Sequence, residues 1–272
     1  MKPDRIFALA WALVLAFAVA PVAAQQPRPA AASAAEPPPP LGALAPANLA
    51  KPRPQAPFDL TGTWFIDQRN SENTWRFNPT GPFKLTPAAQ THYDAAKKAQ
   101  AEGKVYHDDI GQCWPAGLPI IMTRVWPIAM IQMPTAIYMV SGFMNELRVI
   151  YLDGRPHPGR TIRHWLGDSR GRWEGDTLVV DTTNFSPKSN FRGSHENLHL
   201  IERFTRVSPT RLEYAFTVSD DTTWTRPWSA MIPLQRSNEP IYEYACHEGN
   251  LGLEGILTGA RAEERAASGV AK

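Results

Sequence analysis

Five of the seven histidines fall in the second half of the chain: His157, His164, His195, His199 and His247. Imidazoles exchange protons and bind metals near neutral pH, so they set the first candidates for chemistry. His164 alternates with Ile162 and Leu166 and is expected to point inward, as a general base or ligand at the floor of a cavity. His247 and Glu248 follow Cys246, and an imidazole beside a carboxylate on a fixed turn suits acid–base catalysis or a metal. Asp181 ends the apolar run Leu178-Val179-Val180, on the face of Thr177 and Val179. A carboxylate there is expected either to pair with Arg155, Arg163 or Arg203 or to take part in the reaction. His164, Asp181, His247 and Glu248 are therefore the catalytic candidates. No histidine pair has the spacing of a recognised zinc motif. Ligands drawn from different strands need no fixed spacing, however, so His157, His164, His199 and His247 are candidates for a divalent metal.

A second set of residues suits binding. Nine tryptophans are many for a core of this size, and Trp165, Trp173, Trp224 and Trp228 are expected either to line a cavity for an apolar or aromatic guest or to pack as ordinary core. His199 shares a face with Ile201 and is read as inward-pointing, and Arg155 supplies a charge nearby. The ligand-binding candidates are Trp165, Trp173, His199, Trp228 and Arg155. Ser169, His164 and Asp181 could compose a nucleophilic trio, although nothing in the sequence selects it over other trios. There is no Gly-x-Ser-x-Gly elbow, phosphate loop or dinucleotide fingerprint.

These side chains must be held by β-structure. Runs with strand character cover 120–126, 136–141, 147–152, 161–166, 173–182, 199–207, 211–218, 228–234 and 241–246, with Asp153-Gly154-Arg155-Pro156 and Asp168-Ser169-Arg170-Gly171 read as turns. In 211–218, Leu212, Tyr214, Phe216 and Val218 share one face and Arg211, Glu213 and Thr217 the other, the pattern of a strand with one buried side. About nine such strands leave exposed edges unless they close. The fold class expected is mainly β: an antiparallel, lipocalin-like barrel. Thr86 and Pro87 should start one early helix over 88–101, and 253–266 should form a C-terminal helix packed on the outside of the barrel.

Lys2 and Arg5, the uncharged run 6–19 and the small residues Val22-Ala23-Ala24 read as a secretory signal over 1–24, with an uncleaved anchor as the alternative. Residues 25–57, rich in Ala, Pro and Gln, read as a disordered linker, 58–266 as the single barrel domain and 267–272 as a disordered tail. A periplasmic or secreted location follows, with no membrane span after cleavage. The chain has 28 Lys and Arg against 26 Asp and Glu, with no basic stripe, so nucleic acid is not an expected partner. The only cysteines, Cys113 and Cys246, are expected to form one disulfide in an oxidising compartment, with a thiol nucleophile or metal pair as the other reading.

Gly62-Thr63-Trp64 resembles the Gly-x-Trp first strand of lipocalin-like (calycin) barrels. The succession Tyr151-Leu152-Asp153-Gly154-Arg155-Pro156-His157-Pro158, then Gly171-Arg172-Trp173-Glu174-Gly175-Asp176-Thr177-Leu178-Val179-Val180-Asp181-Thr182-Thr183-Asn184-Phe185, then Glu243-Tyr244-Ala245-Cys246 is similar to an abundant family of exported bacterial proteins of unassigned function. The resemblance spans roughly 113–250 and implies the fold and the compartment, but no reaction. Where that family usually shows Gly-His-Ser, this chain has Gly167-Asp168-Ser169. Three functions are compatible with these readings: a barrel binding a small apolar or aromatic ligand; a hydrolase or lyase of the same fold using inward histidines and carboxylates, with or without a divalent metal; and a structural protein of the envelope.

Overall fold

Period-two alternation becomes strand structure in the computed structural model, which describes residues 42–55, 58–67, 84–103 and 113–269. The signal segment, most of the proline-rich stretch, positions 104–112 and the last residues of the expected tail lie outside the described residues. Nine strands are present among the described residues: β1 (Gly62–Ile66), β2 (Ile128–Gln132), β3 (Ala136–Ser141), β4 (Leu147–Tyr151), β5 (Asp168–Glu174), β6 (Thr177–Thr183), β7 (His199–Ser208), β8 (Arg211–Ser219) and β9 (Trp228–Ser237). They pair in chain order and close when β9 meets β1, with Trp64 opposite Arg236 and Ile66 opposite Leu234. The protein is thus mainly β and barrel-shaped, as expected. One junction departs from the expected antiparallel pattern: β4 and β5 run parallel, joined only through Ile150 opposite Ser169 and Tyr151 opposite Arg170.

Three of the expected strands are not strands. Residues 120–126, set between Pro119 and Pro127, hold a 3-10 turn over Ile120–Thr123. The 161–166 segment is a loop because the Asn184 side chain donates to the carbonyls of Pro158, Gly159 and Ile162 and curls the chain around itself. Residues 241–246 run without a strand ladder. Conversely, the expected turn 168–171 is the first half of β5, and the hairpin turn falls at Gly175-Asp176, within Glu174-Gly175-Asp176, whose residues are turn formers. β5 escapes an alternation test because its inward positions are Ser169, Gly171 and Trp173. Gly171 makes room for its neighbours there: a Cβ would lie 2.6 Å from a Leu152 methyl and 2.9 Å from an Ile150 methyl, which would have to shift. β2, between Pro127 and Pro134, is a strand outside the runs read from the sequence.

Helix α2 (Pro87–Ala101) begins as expected, with the Thr86 hydroxyl accepting from the Ala89 amide at 3.2 Å. Ahead of it, the short helix α1 (Pro46–Leu49) falls within the stretch read as linker. Asn48 there is buried, and Arg53 donates to the Gln132 carbonyl at 2.8 Å, so this part of the segment is fixed to β2. Helix α3 (Gly252–Ala267) forms where expected, but its described side chains are exposed rather than packed on the barrel.

Aromatic rings pack against one another inside the barrel. Phe191 stacks on Trp228 at 5.8 Å, Trp224 meets Trp228 edge-on at 5.7 Å, and Phe204, Tyr214 and Phe216 follow at 5.0 and 5.7 Å spacings. Within this apolar interior, among the described residues, lies one charged pair. Arg148 of β4 meets Glu202 of β7 in a two-pronged contact, and both are almost wholly buried. Arg148 also donates to Ser169 of β5 and Thr182 of β6, at 3.0 and 3.1 Å. Tyr214 of β8 donates to Glu202 at 2.9 Å. Burial and the neighbouring Glu202 carboxylate raise the Tyr214 hydroxyl well above its ordinary pKa, so it remains a donor. Removing one partner from such a pair strands a buried charge. Arg148→Met should therefore lose about 3–5 kcal/mol of unfolding free energy in urea titrations. Arg148→Met with Glu202→Leu should recover most of that loss.

Candidate active or binding cleft

The ladder between β4 and β5 starts only at Ile150, so Leu147, Arg148 and Val149 have no strand partner on that side among the described residues. A cleft of about 520 Å³ opens there, between the start of β4 and the segment 164–169. Trp165, Leu166, Leu147 and Met144 supply its apolar walls, and Glu146, Asp168, Ser169 and Arg148 its polar groups. That volume falls within the usual range of small-molecule sites.

Two turns set the shape. Gly167 has φ +66°, and a Cβ on it would meet the Thr183 carbonyl at 2.6 Å, so only glycine brings Trp165 and Leu166 this close to β6. Met144 and Asn145 have φ of 60° and 48°, a left-handed conformation unfavourable for side-chain-bearing residues. The chain holds this corner from the C-terminal side: Asn145 donates to the Tyr242 carbonyl and accepts from the Tyr244 amide, at 2.9 and 2.5 Å. The expected disulfide between Cys113 and Cys246 is formed and ties the same strap to Trp114-Pro115. Trp165 then donates to the Pro115 carbonyl at 2.7 Å and packs edge-on against Trp114.

Glu146 is 7% exposed and lines the cleft. Its Oε1 accepts from the Ala116 amide at 2.6 Å, and Oε2 has only a long 3.4 Å contact from Gly117. Burial pushes its pKa up to about 7, against the weaker downward pull of those two amides. A carboxyl that titrates near neutrality in a cleft is a recurrent mark of functional sites.

A second polar array runs over the outside of β5, β6 and β7. Asp168 accepts from Arg170 through both oxygens, at 2.6 and 2.7 Å, and meets His157 Nδ1 at 2.7 Å. His157 Nε2 lies 3.5 Å from Asp181 Oδ1, which His199 Nε2 approaches to 2.9 Å. The hydrogen bond with His199 lowers the Asp181 pKa, and the same bond raises that of His199.

The candidates read from sequence divide accordingly. Asp181 points outward and pairs with histidines rather than with Arg155, Arg163 or Arg203. His199 also points outward, because the buried face of β7 is that of Leu200, Glu202 and Phe204. His164 is exposed on the 161–166 loop instead of facing a barrel floor, although it does border the cleft. The Ser169–His164–Asp181 trio does not assemble: the Ser169 hydroxyl is inside the barrel, bonded to Arg148 and Thr182. His247 and Glu248 are exposed beside the disulfide and line a separate cleft of about 340 Å³, which shares only Pro115 and Met144 with the first. Of the binding candidates, Trp165 lines the main cleft. Trp228 belongs to the packed lumen, and Trp173 packs edge-on against Phe58 at 5.1 Å. Arg155 pairs with Asp153 and stacks over the Tyr151 ring at 4.3 Å. Among the described residues no three His, Cys, Asp or Glu side chains converge as a metal-binding group, and the four histidine metal candidates are not gathered at one point.

Sequence reasoning missed Glu146, Arg148 and Glu202. For Glu202 a signal existed, a charge between Leu200 and Phe204 on the apolar face of a strand. Glu146 has none, since its burial comes from residues 115–117, some thirty positions away. Comparison with family models, with curated proteins and with solved structures returns no match to this chain.

Because burial raises the pKa of Glu146, its contribution to stability is full below its ordinary value of 4.5 and is lost as pH rises through about 7. Two and a half pKa units correspond to about 3 kcal/mol. Unfolding free energies measured in urea at pH 4.5 and pH 8 should differ by a contribution of this size in the wild type. In Glu146→Gln that part of the difference should vanish, leaving the His199 contribution, which also declines as pH rises.

Proposed function

We propose that the protein is an exported barrel that binds a small, partly apolar ligand in the cleft of its wall beside the β4–β5 junction, not in its lumen. The observation that carries this reading is the cleft itself, a preformed space of about 520 Å³ with apolar walls and a buried carboxyl at its edge. The packed rings of Phe191, Phe216, Trp224 and Trp228 leave the lumen to the core. Supporting export are the disulfide, the signal-like first 24 residues and the resemblance of the 151–185 motifs to an exported bacterial family; no helix among the described residues is long and apolar enough to cross a membrane.

A second reading, a hydrolase or lyase, rests on the same carboxyl. At a pKa of about 7, Glu146 is poised to take or give a proton at neutral pH. In that reading it fills the general-base role that the sequence suggested for His164.

Screening of small aromatic compounds by NMR of the tryptophan indole N–H resonances tests the binding site. Ligands should perturb the resonance assigned to Trp165 by a Trp165→Phe variant and leave that of Trp228 in place. Perturbation centred on Trp228 would move the site to the lumen. A silent screen would favour the envelope structural protein.

A further inference from the structure

We infer that the cleft selects ligands bearing a cationic ammonium-type head, seated on Glu146, with an apolar body against Trp165, Leu166 and Leu147. This inference rests on the binding-cleft reading above and adds the chemical class of the ligand.

Charge accounting around the cleft leads to it. Its cationic lining residue, Arg148, is saturated by Glu202, Ser169 and Thr182. Its other carboxylate, Asp168, is neutralised by Arg170 and further bonded to His157. Glu146 has no cationic side chain against it among the described residues; its contacts are the two backbone amides of Ala116 and Gly117. The 3.4 Å contact to Oε2 exceeds the ordinary N–H···O range of about 2.7–3.2 Å, so most of the accepting capacity of that oxygen is unused. An ionised carboxylate withdrawn from water without a counter-charge is unfavourable, and an incoming cation relieves that penalty. The raised pKa of Glu146 is the same imbalance seen from the proton's side.

A primary ammonium fits because its charge-assisted hydrogen bonds to carboxylate are strong, and a compact head reaches a buried carboxyl that a bulkier cation does not. The apolar body has its own place. Trp165 is fixed at both ends, by its bond to Pro115 and by its packing on Trp114, and offers a stationary wall. Met144, in its left-handed conformation, closes the space beside Glu146, and the Asn145 contacts to the 242–244 strap keep it there. A ligand therefore meets a preformed corner, which lowers the ordering cost of binding.

The test compares three probes of one shape at pH 8: 2-phenylethylammonium, 2-phenylethanol and phenylacetate, with dissociation constants from calorimetry and the site from the Trp165 resonance. The ammonium should bind at least tenfold more tightly than the alcohol, and phenylacetate most weakly. In Glu146→Gln the ammonium and the alcohol should bind within about threefold of each other, with alcohol binding retained. Equal affinities in the wild type, or a preference that survives in Glu146→Gln, would overturn the inference while leaving the cleft reading intact. If none of the probes moves Trp165, the cleft reading falls and takes the inference with it. Should the variant not fold, the carboxyl ¹³C resonance of wild-type Glu146 decides, since a signal unmoved by saturating 2-phenylethylammonium also overturns the inference.

Discussion

The barrel is closed around a buried ion pair. Arg148 and Glu202 sit on strands that are not neighbours, and the guanidinium collects Ser169 and Thr182 from the strands between them while Tyr214 completes the carboxylate. Five consecutive strands, β4 to β8, thereby share one polar network. It lies beside the weakest junction of the sheet, where the backbone ladder of β4 and β5 is only two residue pairs long. A buried pair adds little net stability compared with apolar packing of the same volume. Here its geometric role is to hold together, through side chains, a wall that backbone hydrogen bonds only partly join. The cleft is the outer side of the same arrangement, with Arg148 and Ser169 on its polar floor.

Much of this architecture was legible in the sequence. β8 shows why: Leu212, Tyr214, Phe216 and Val218 are virtually inaccessible, as their spacing required. β7, β9, the Thr86 cap and the disulfide were readable for equally local reasons. What failed was parity and polarity. On β7 the choice between the His199–Ile201 face and the Leu200–Phe204 face turns on one residue of register, and Glu202 disguised the buried side. On β5, Ser169 and Gly171 occupy inward positions because the neighbouring chain, Arg148 and Leu152, fills the space. Nothing within β5 itself announces that.

The site was less legible than the fold. Asp181, His157 and His199 were singled out, and they do meet, but on the outer surface and with each other rather than around a substrate cavity. Trp165, read as either a cavity wall or ordinary core, lines the cleft in the barrel wall. Glu146, the buried carboxyl of the cleft, becomes unusual only when the 113–117 limb, pinned by its disulfide to the far end of the chain, folds over it. That is a purely tertiary event, and no local pattern encodes it.

The strap that carries Cys246 has a consequence for where this protein keeps its shape. Barrel closure does not depend on it, since β9 has already met β1 before residue 241. Yet the strap that accepts and donates at the Met144–Asn145 corner ends at Cys246, and the limb that presents the Pro115 carbonyl to Trp165 and the amides to Glu146 starts at Cys113, so one sulfur–sulfur bond joins the two. Reduction would therefore remove one brace shared by two sides of the cleft and leave the closure of β9 on β1 untouched.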